Sequence, residues 1–318
     1  MVAGFPAFRR FGLSDAGLIR RMTVPFPPYS DHHPLGLLSW NTGEDGELAI
    51  VNGNLVLKLR QYDGNGFFLT FIGTREVVKT VRQLLRYARS QPDLDPALRR
   101  IPEAVVRHAV GLRERFAVMV APEEYDYVFG IAEMAALRGA DYGEKRTAIR
   151  RLQHGTAAEL RRIDVQEPYA QALMLDIFDR WATGKRVADL PETANERQAL
   201  QRLFTLAGLA SDDLIALALF DEVGEPFGYC TAEVLDRGYA IGHFEKTDPA
   251  RPGVSALMRQ RIAQYLQARG CRYLNGEQDL GDEGLRASKA SWAPRFYLRK
   301  YTIAEGEAPK PAMPASAR

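Results

Sequence analysis

Cysteine is scarce in this sequence: 318 residues contain two, Cys230 and Cys271, and no C-x-x-C pair. That excludes a disulfide framework and zinc sites of known spacing, and a reducing cytoplasm is the expected compartment. Long apolar runs are missing too. No stretch approaches the roughly 18 to 20 residues that would span a bilayer. The opening "MVAGFPAFRRFGLSDAGLIRR" also lacks the continuous apolar core of a secretion signal. The expectation is a soluble protein without a transmembrane segment. Excess charge of either sign is absent as well. With a net charge of +2 and 26% charged residues, any nucleic-acid contact has to come from a local patch. No G-x-S-x-G, P-loop or metal-ligand spacing occurs, which argues against nucleoside triphosphate and metal chemistry.

What is present is the composition of a folded protein, with 46% hydrophobic residues. A chain of this length exceeds what one hydrophobic core usually supports, so two domains are expected. The order of elements repeats. Strands "ELAIV", "LVLKLRQ" and "FFLTFIG", separated by Gly- and Asn-containing turns, lead into the helix "REVVKTVRQLLRYAR", whose Val77, Val81, Leu84, Leu85 and Ala88 share one face. Strands "LIALALF", "FGYCTAEVL" and "YAIGHFEK" then lead into the helix "SALMRQRIAQYLQARG", with Gly270 as its stop, and a strand "CRYLNGE". Between these units, "EYDYVFGIAEMAALRGADYGEKRTAIRRLQ" and "QALMLDIFDRWATGKR" read as helical. The expected division is an N-terminal domain over 1–154, a C-terminal domain carrying the site over 155–304, and a disordered Pro- and Ala-rich tail over 305–318.

Residues 275–301, "NGEQDLGDEGLRASKASWAPRFYLRKY", concentrate acids, bases and aromatics. Strand alternation puts Asn275, Glu277 and Asp279 on one side, and Tyr239, Ile241, His243 and Glu245 on one face of the preceding strand. Asp282 is placed to cap a helix on which Arg286 and Lys289 sit three apart. The run "GEKRTAIRR" forms the clearest basic cluster, with Lys145, Arg146 and Arg150.

The segments "EYDYVFGIAEMAALRGADYGEKRTAIRRL", "GHFEKTDPARPGVSALMRQRIAQYL" and "YLNGEQDLGDEGLRASKASWAPRFYLRKYTI" resemble the C-terminal domain family of lysylphosphatidylglycerol synthetases, in a stand-alone form. The resemblance implies an α+β, mixed α/β chain of tandem GNAT-like acyltransferase folds, each a mixed sheet flanked by helices and related to the Fem transferases. It further implies an aminoacyltransferase that takes its group from aminoacyl-tRNA and gives it to a lipid or small-molecule acceptor, with peripheral membrane contact at most and no further cofactor. GNAT enzymes hold coenzyme A on a loop of pattern Arg/Gln-x-x-Gly-x-Gly/Ala. Here the loop is "ARPGVS", in which Pro252 removes an amide donor, so coenzyme A is the less expected donor.

For that chemistry Glu277, Asp279 and His243 are the catalytic candidates, as general base or as partner of an ammonium group. Against this, the two carboxylates simply pair with Arg286 and Lys289, and His243 is a satisfied structural residue. Glu245, Asp248, Asn275, Arg286, Lys289 and Lys300 are candidates for substrate binding, although Asp248, close before a proline, also suits a purely turn-shaping role. Lys145, Arg146 and Arg150 are candidates for tRNA or phosphate contact, or a solvated helix face. No metal ligand is expected. An acyl-CoA-dependent N-acyltransferase and a non-catalytic tandem GNAT scaffold are the alternatives.

Overall fold

The computed structural model describes residues 5–61, 66–209 and 213–306, so the expected tail lies outside the described residues from 307 onward. The chain divides into two compact units, and both are mosaics of separate segments. Unit 1 comprises residues 1–11, 45–122 and 299–318; unit 2 comprises 12–44 and 123–298.

Unit 1 is built on the strands β1 (Arg9–Arg10), β2 (Glu47–Val51), β3 (Asn54–Arg60), β4 (Phe67–Ile72), β5 (Leu94–Pro102), β6 (Ala117–Val120) and β14 (Lys300–Ala304), in the order β1-β2-β3-β4-β5-β14-β6. Asn52 and Gly53 take φ of 51° and 81° and close the β2–β3 hairpin, the left-handed pair that matches strand twist. The amphipathic helix running from Val77 to Arg89 crosses from β4 to β5, which pair in parallel. Its buried face includes Val77, Val81, Leu84, Leu85 and Ala88, as the sequence periodicity predicts. Lys300, expected among the substrate-binding residues, belongs instead to this unit. It is fully buried in β14, which hydrogen-bonds β5 on one side and β6 on the other.

Unit 2 carries the second seven-stranded sheet. Its strands are β7 (Asp126–Gly130), β8 (Glu159–Ile163), β9 (Leu214–Phe220), β10 (Pro226–Leu235), β11 (Tyr239–Thr247), β12 (Tyr273–Asn275) and β13 (Phe296–Leu298), ordered β13-β7-β12-β11-β10-β9-β8. The antiparallel β9-β10-β11 meander, the helix Val254–Ala268 and the parallel β11–β12 pair repeat the element order of unit 1. Both sheets are mixed and flanked by helices, the expected fold class.

Two expectations are corrected here. The stretch "DYVFG" is strand β7, not helix: aromatic and β-branched residues buried throughout form a central strand between β12 and β13. A boundary at residue 155 therefore does not separate the compact units. Ile131, Met134, Tyr142, Ile149 and Leu152 share one core with Leu257, Met258 and Leu266, so residues from 123 onward belong to unit 2.

Candidate functional site

All residues of the site belong to unit 2, and two backbone irregularities create it. The first is a bulge between β10 and β11. Thr231 faces Phe244 and Ala232 faces Gly242, which leaves His243 as the extra residue without an opposite partner. A bulge redirects the side chain it carries, and the alternation expected over residues 239–245 is interrupted there. The Phe244 amide is not lost to the ladder, because it donates to Thr231 Oγ1 at 3.1 Å. The second irregularity follows β12, which ends at Asn275. Glu277 has φ of 58° and Leu280 of 55°, left-handed conformations costly for residues with a Cβ.

That turn overturns the expected shared face of Asn275, Glu277 and Asp279. The Glu277 carboxylate reaches within 3.6 Å of His243 Nδ1 and keeps 22% of its side chain exposed. Gln278 turns to the segment before the helix Pro34–Trp40, where its amide nitrogen donates to Asp31 at 2.8 Å. Asp279 is 1% exposed and accepts from Tyr127 Oη (2.6 Å), Arg286 Nε and Nη2 (3.0 Å each) and the Gly281 amide (2.9 Å). Burial alone would raise its pKa, but the Arg286, Tyr127 and Gly281 bonds outweigh that and hold it below the usual carboxylate value. Burial together with the Asp279 carboxylate pushes Tyr127 up to about 12. A carboxylate with four donors is a poor proton acceptor, so the Asp279–Arg286 pair is best suited to holding the turn.

Behind the turn lies a buried polar network. Asp126 in β7 is inaccessible and accepts from the Ser30 amide at 2.9 Å and from Asn275 Nδ2 at 3.2 Å, while Ser30 Oγ lies 2.7 Å from its other oxygen. Asn275 Nδ2 also donates to the Pro28 carbonyl at 2.8 Å. These bonds fix the segment "PPYSDHHP" against the sheet and so place His33. Lys289 is buried, with its ammonium on the Gln278 carbonyl at 2.5 Å. Burial pushes its pKa down to about 8, and Glu277 opposes the shift.

His33 and His243 flank Glu233, which is 1% exposed in the middle of β10. His33 Nδ1 lies 3.2 Å and His243 Nε2 3.5 Å from the same oxygen, Oε2, yet neither is aligned for a hydrogen bond. Arg20 Nη2 stands 3.6 Å from the other oxygen, Oε1. Burial pushes the Glu233 carboxyl up, but the imidazoles of His243 and His33 more than offset this and hold it at about 2. For His243, burial pushes down while Glu233 and Glu277 raise the pKa to about 9.

Other expected residues are occupied elsewhere in unit 2. Glu245 pairs with Arg259 and Ser255 at 3.0–3.1 Å. Asp248 accepts from the Ala250 amide at 2.9 Å and faces Arg180 and Arg251, the turn-shaping arrangement. Lys145 donates to Ser291 Oγ at 2.7 Å, and Arg146 binds the Leu137 and Gly139 carbonyls. Arg150 is exposed on the helix Gly143–Gly155. Ser30, His33, Asp126 and Glu233 escape sequence reasoning, because they come together only through the sheet. One signal was available: Glu233 is the only charge in the otherwise apolar run "FGYCTAEVL".

Solved structures with the same fold span nearly the whole chain. A conserved protein of unknown function from Bacteroides thetaiotaomicron superposes with a TM-score of 0.78 at 23% identity, covering 96% of this chain and 100% of its own. The C-terminal domain of a proposed lysylphosphatidylglycerol synthetase from Agrobacterium fabrum gives 0.62 at 14% identity, covering 92% of each. L-PGS from Bacillus licheniformis gives 0.55 at 13%, covering 85% of this chain and 87% of its own. A search of the curated proteins finds no match. The family model described as phosphatidylglycerol lysyltransferase, C-terminal, matches residues 25–304, and the chain belongs to that family. Its class is therefore that of an acyltransferase-like protein. Among the described residues no helix is long and apolar enough to cross a membrane.

Proposed function

We propose that this chain is an aminoacyltransferase that moves an aminoacyl group from aminoacyl-tRNA to a lipid or small-molecule acceptor. The observation that carries this reading is Glu277, a carboxylate held in a left-handed turn, partly open to solvent, and backed by His243 at 3.6 Å. An aminoacyl ester is already activated, so the protein has to position the acceptor and take its proton. In the proposed step the acceptor's hydroxyl or amine attacks the ester carbonyl carbon and its proton passes to Glu277. The bond from that carbon to the ribose oxygen then breaks, and the proton is handed to the leaving oxygen. His243 and the Asp279–Arg286 pair act as positioning residues for the turn. Arg150 and Lys145, on the same helix, are the cations proposed to meet tRNA phosphates.

The start of the helix Val254–Ala268 favours this donor over coenzyme A. Gly253 has φ of 95°, and a Cβ there would lie 2.5 Å from the Ala148 carbonyl, so the helix Gly143–Gly155 packs directly on the loop that in GNAT enzymes cradles pyrophosphate. The test is incubation of purified protein with radiolabelled aminoacyl-tRNA pools and vesicles containing phosphatidylglycerol or a panel of small amines, with acetyl-CoA in parallel. Label transferred from tRNA, and lost in Glu277→Gln, is the expected result. Consumption of acetyl-CoA alone would establish the coenzyme A reading, and no consumption of either donor would favour a binding scaffold.

A further inference from the structure

The transfer chemistry uses His243 only to position Glu277 and leaves His33 and Glu233 without a part, and the geometry of the three is that of a ligand set. We propose that these three side chains bind a divalent transition-metal ion, with Zn(II) the fitting probe. Among the described residues they are the one group of His, Cys, Asp or Glu side chains whose donor atoms converge in this way, all lying within 4.8 Å of one another. Around a tetrahedral ion with bonds of roughly 2.0–2.1 Å, neighbouring donors stand about 3.3 Å apart. The separations here are 3.2 Å from His33 Nδ1 to Glu233 Oε2 and 3.5 Å from His243 Nε2 to the same oxygen.

The second argument is that these atoms are buried and unsatisfied. His33 Nδ1, Glu233 Oε2 and His243 Nε2 are inaccessible and have no hydrogen-bond partner. They meet only one another, as ion-pair contacts without hydrogen-bond alignment, which is costly in a folded interior, and one cation would satisfy all of them. Neutral imidazole nitrogens and a carboxylate are also the donor types that borderline divalent metals take.

The third argument lies in the groups behind the ligands. Metal-bound histidine usually turns its other ring nitrogen to a carboxylate, and metal-bound carboxylates are themselves held by a donor. His243 Nδ1 faces Glu277 Oε1 at 3.6 Å, and Arg20 stands 3.6 Å from Glu233 Oε1, leaving Oε2 for the ion. Three protein ligands leave a coordination position for solvent or an acceptor oxygen. The ligands come from residue 33, from β10 and from the β11 bulge, which is why no sequence spacing announces them.

The inference does not rest on the aminoacyl-transfer reading, and its test does not use activity. The full chain, freed of metal with a chelator, is titrated with Zn(II) by calorimetry and with Co(II) by absorption. Expected are one ion per chain, visible Co(II) bands of tetrahedral intensity, and a raised Tm. His33→Ala is expected to weaken Zn(II) binding by at least 100-fold, and Glu277→Gln by about 10- to 100-fold through loss of the outer carboxylate. His33 lies at the N-terminal edge of its helix, so its truncation is the variant least disruptive to the sheet, and circular dichroism checks that it folds. Absence of stoichiometric binding would overturn the proposal. Binding unchanged in a folded His33→Ala variant would overturn it equally, by locating the ion elsewhere.

Discussion

Units 1 and 2 share the order of three antiparallel strands, a crossover helix and a parallel strand, yet they bury different chemistry. In unit 1, β3 and β4 bury Leu55, Val56, Leu57, Phe68, Leu69, Phe71 and Ile72, and carry neither histidine nor carboxylate. In unit 2, β10 and β11 bury Glu233 and His243. The difference traces to backbone regularity. The β3–β4 ladder runs without a break from Leu55–Ile72 to Arg60–Phe67, whereas the β10–β11 ladder slips at Thr231 and frees His243. One scaffold thus holds a packed apolar core in one unit and a buried polar cluster in the other, with one inserted residue among the differences.

The sharpest way to test that contrast is to compare two fully buried polar residues. Asp126→Ala in unit 2 removes the acceptor for Ser30 and Asn275 and should cost about 3 kcal/mol or more in urea unfolding, since several buried donors are left unpaired. Thr70→Val in unit 1, which loses a long hydroxyl bond to the Arg100 carbonyl (3.3 Å) but no charge, should cost less, about 1–2 kcal/mol. Equal losses would break the comparison.

Next in size is the group proposed to react. Glu277→Gln should lower the transfer rate by about 100-fold or more, within the usual range for a general base. Glu277→Gly should do the same while raising stability by up to about 1 kcal/mol, because glycine accepts the left-handed φ. A Glu277→Gly protein with full activity would remove Glu277 from the chemistry.

Lys289 gives a pH signature. Burial lowers its folded-state pKa to about 8 from the 10.5 of the unfolded chain. Between those values the unfolded chain holds more protons, so the Lys289 contribution makes stability rise with pH across about 8 to 10.5. Lys289→Met should abolish that rise and should be the more stable protein at pH 7, as chemical denaturation along a pH series would show. An identical pH profile for both proteins would refute the assignment.

A matched pair of glycines compares the two units directly. Gly73 and Gly253 both precede a crossover helix with positive φ, 139° and 95°. A Cβ would meet Asn54 Oδ1 at 2.2 Å in the first case and the Ala148 carbonyl at 2.5 Å in the second. Alanine at either position should cost about 1–3 kcal/mol. A loss at only one of them would show that the two loops are not mechanically alike.

Much of the fold was legible because it is periodic. The helix Val77–Arg89 follows its apolar stripe, β9 to β11 appear where their β-branched and aromatic runs stand, and Asp282 caps its helix by accepting from Leu285 at 2.7 Å. β7 was misread because a short, continuously apolar segment has no period to separate strand from helix. In the candidate site, Glu277, His243, Lys289 and Asp279 stand out by residue type, but their partners do not. Alternation assumed a strand through Asp279, and the left-handed Glu277 sends Glu277, Gln278 and Asp279 to three different partners.

Local pattern by itself determined the two units of successive strands and a helix, because hydrophobic period and turn residues act over a few neighbours, whereas the mixed sheets were implied by the family resemblance. Tertiary structure alone decided that residues 12–44 and 123–154 belong to the second unit, where β7 joins the sheet, and that His33, Glu233 and His243 converge. A meeting of side chains some 200 positions apart depends on strand order and on a slipped ladder, and no local interaction encodes either.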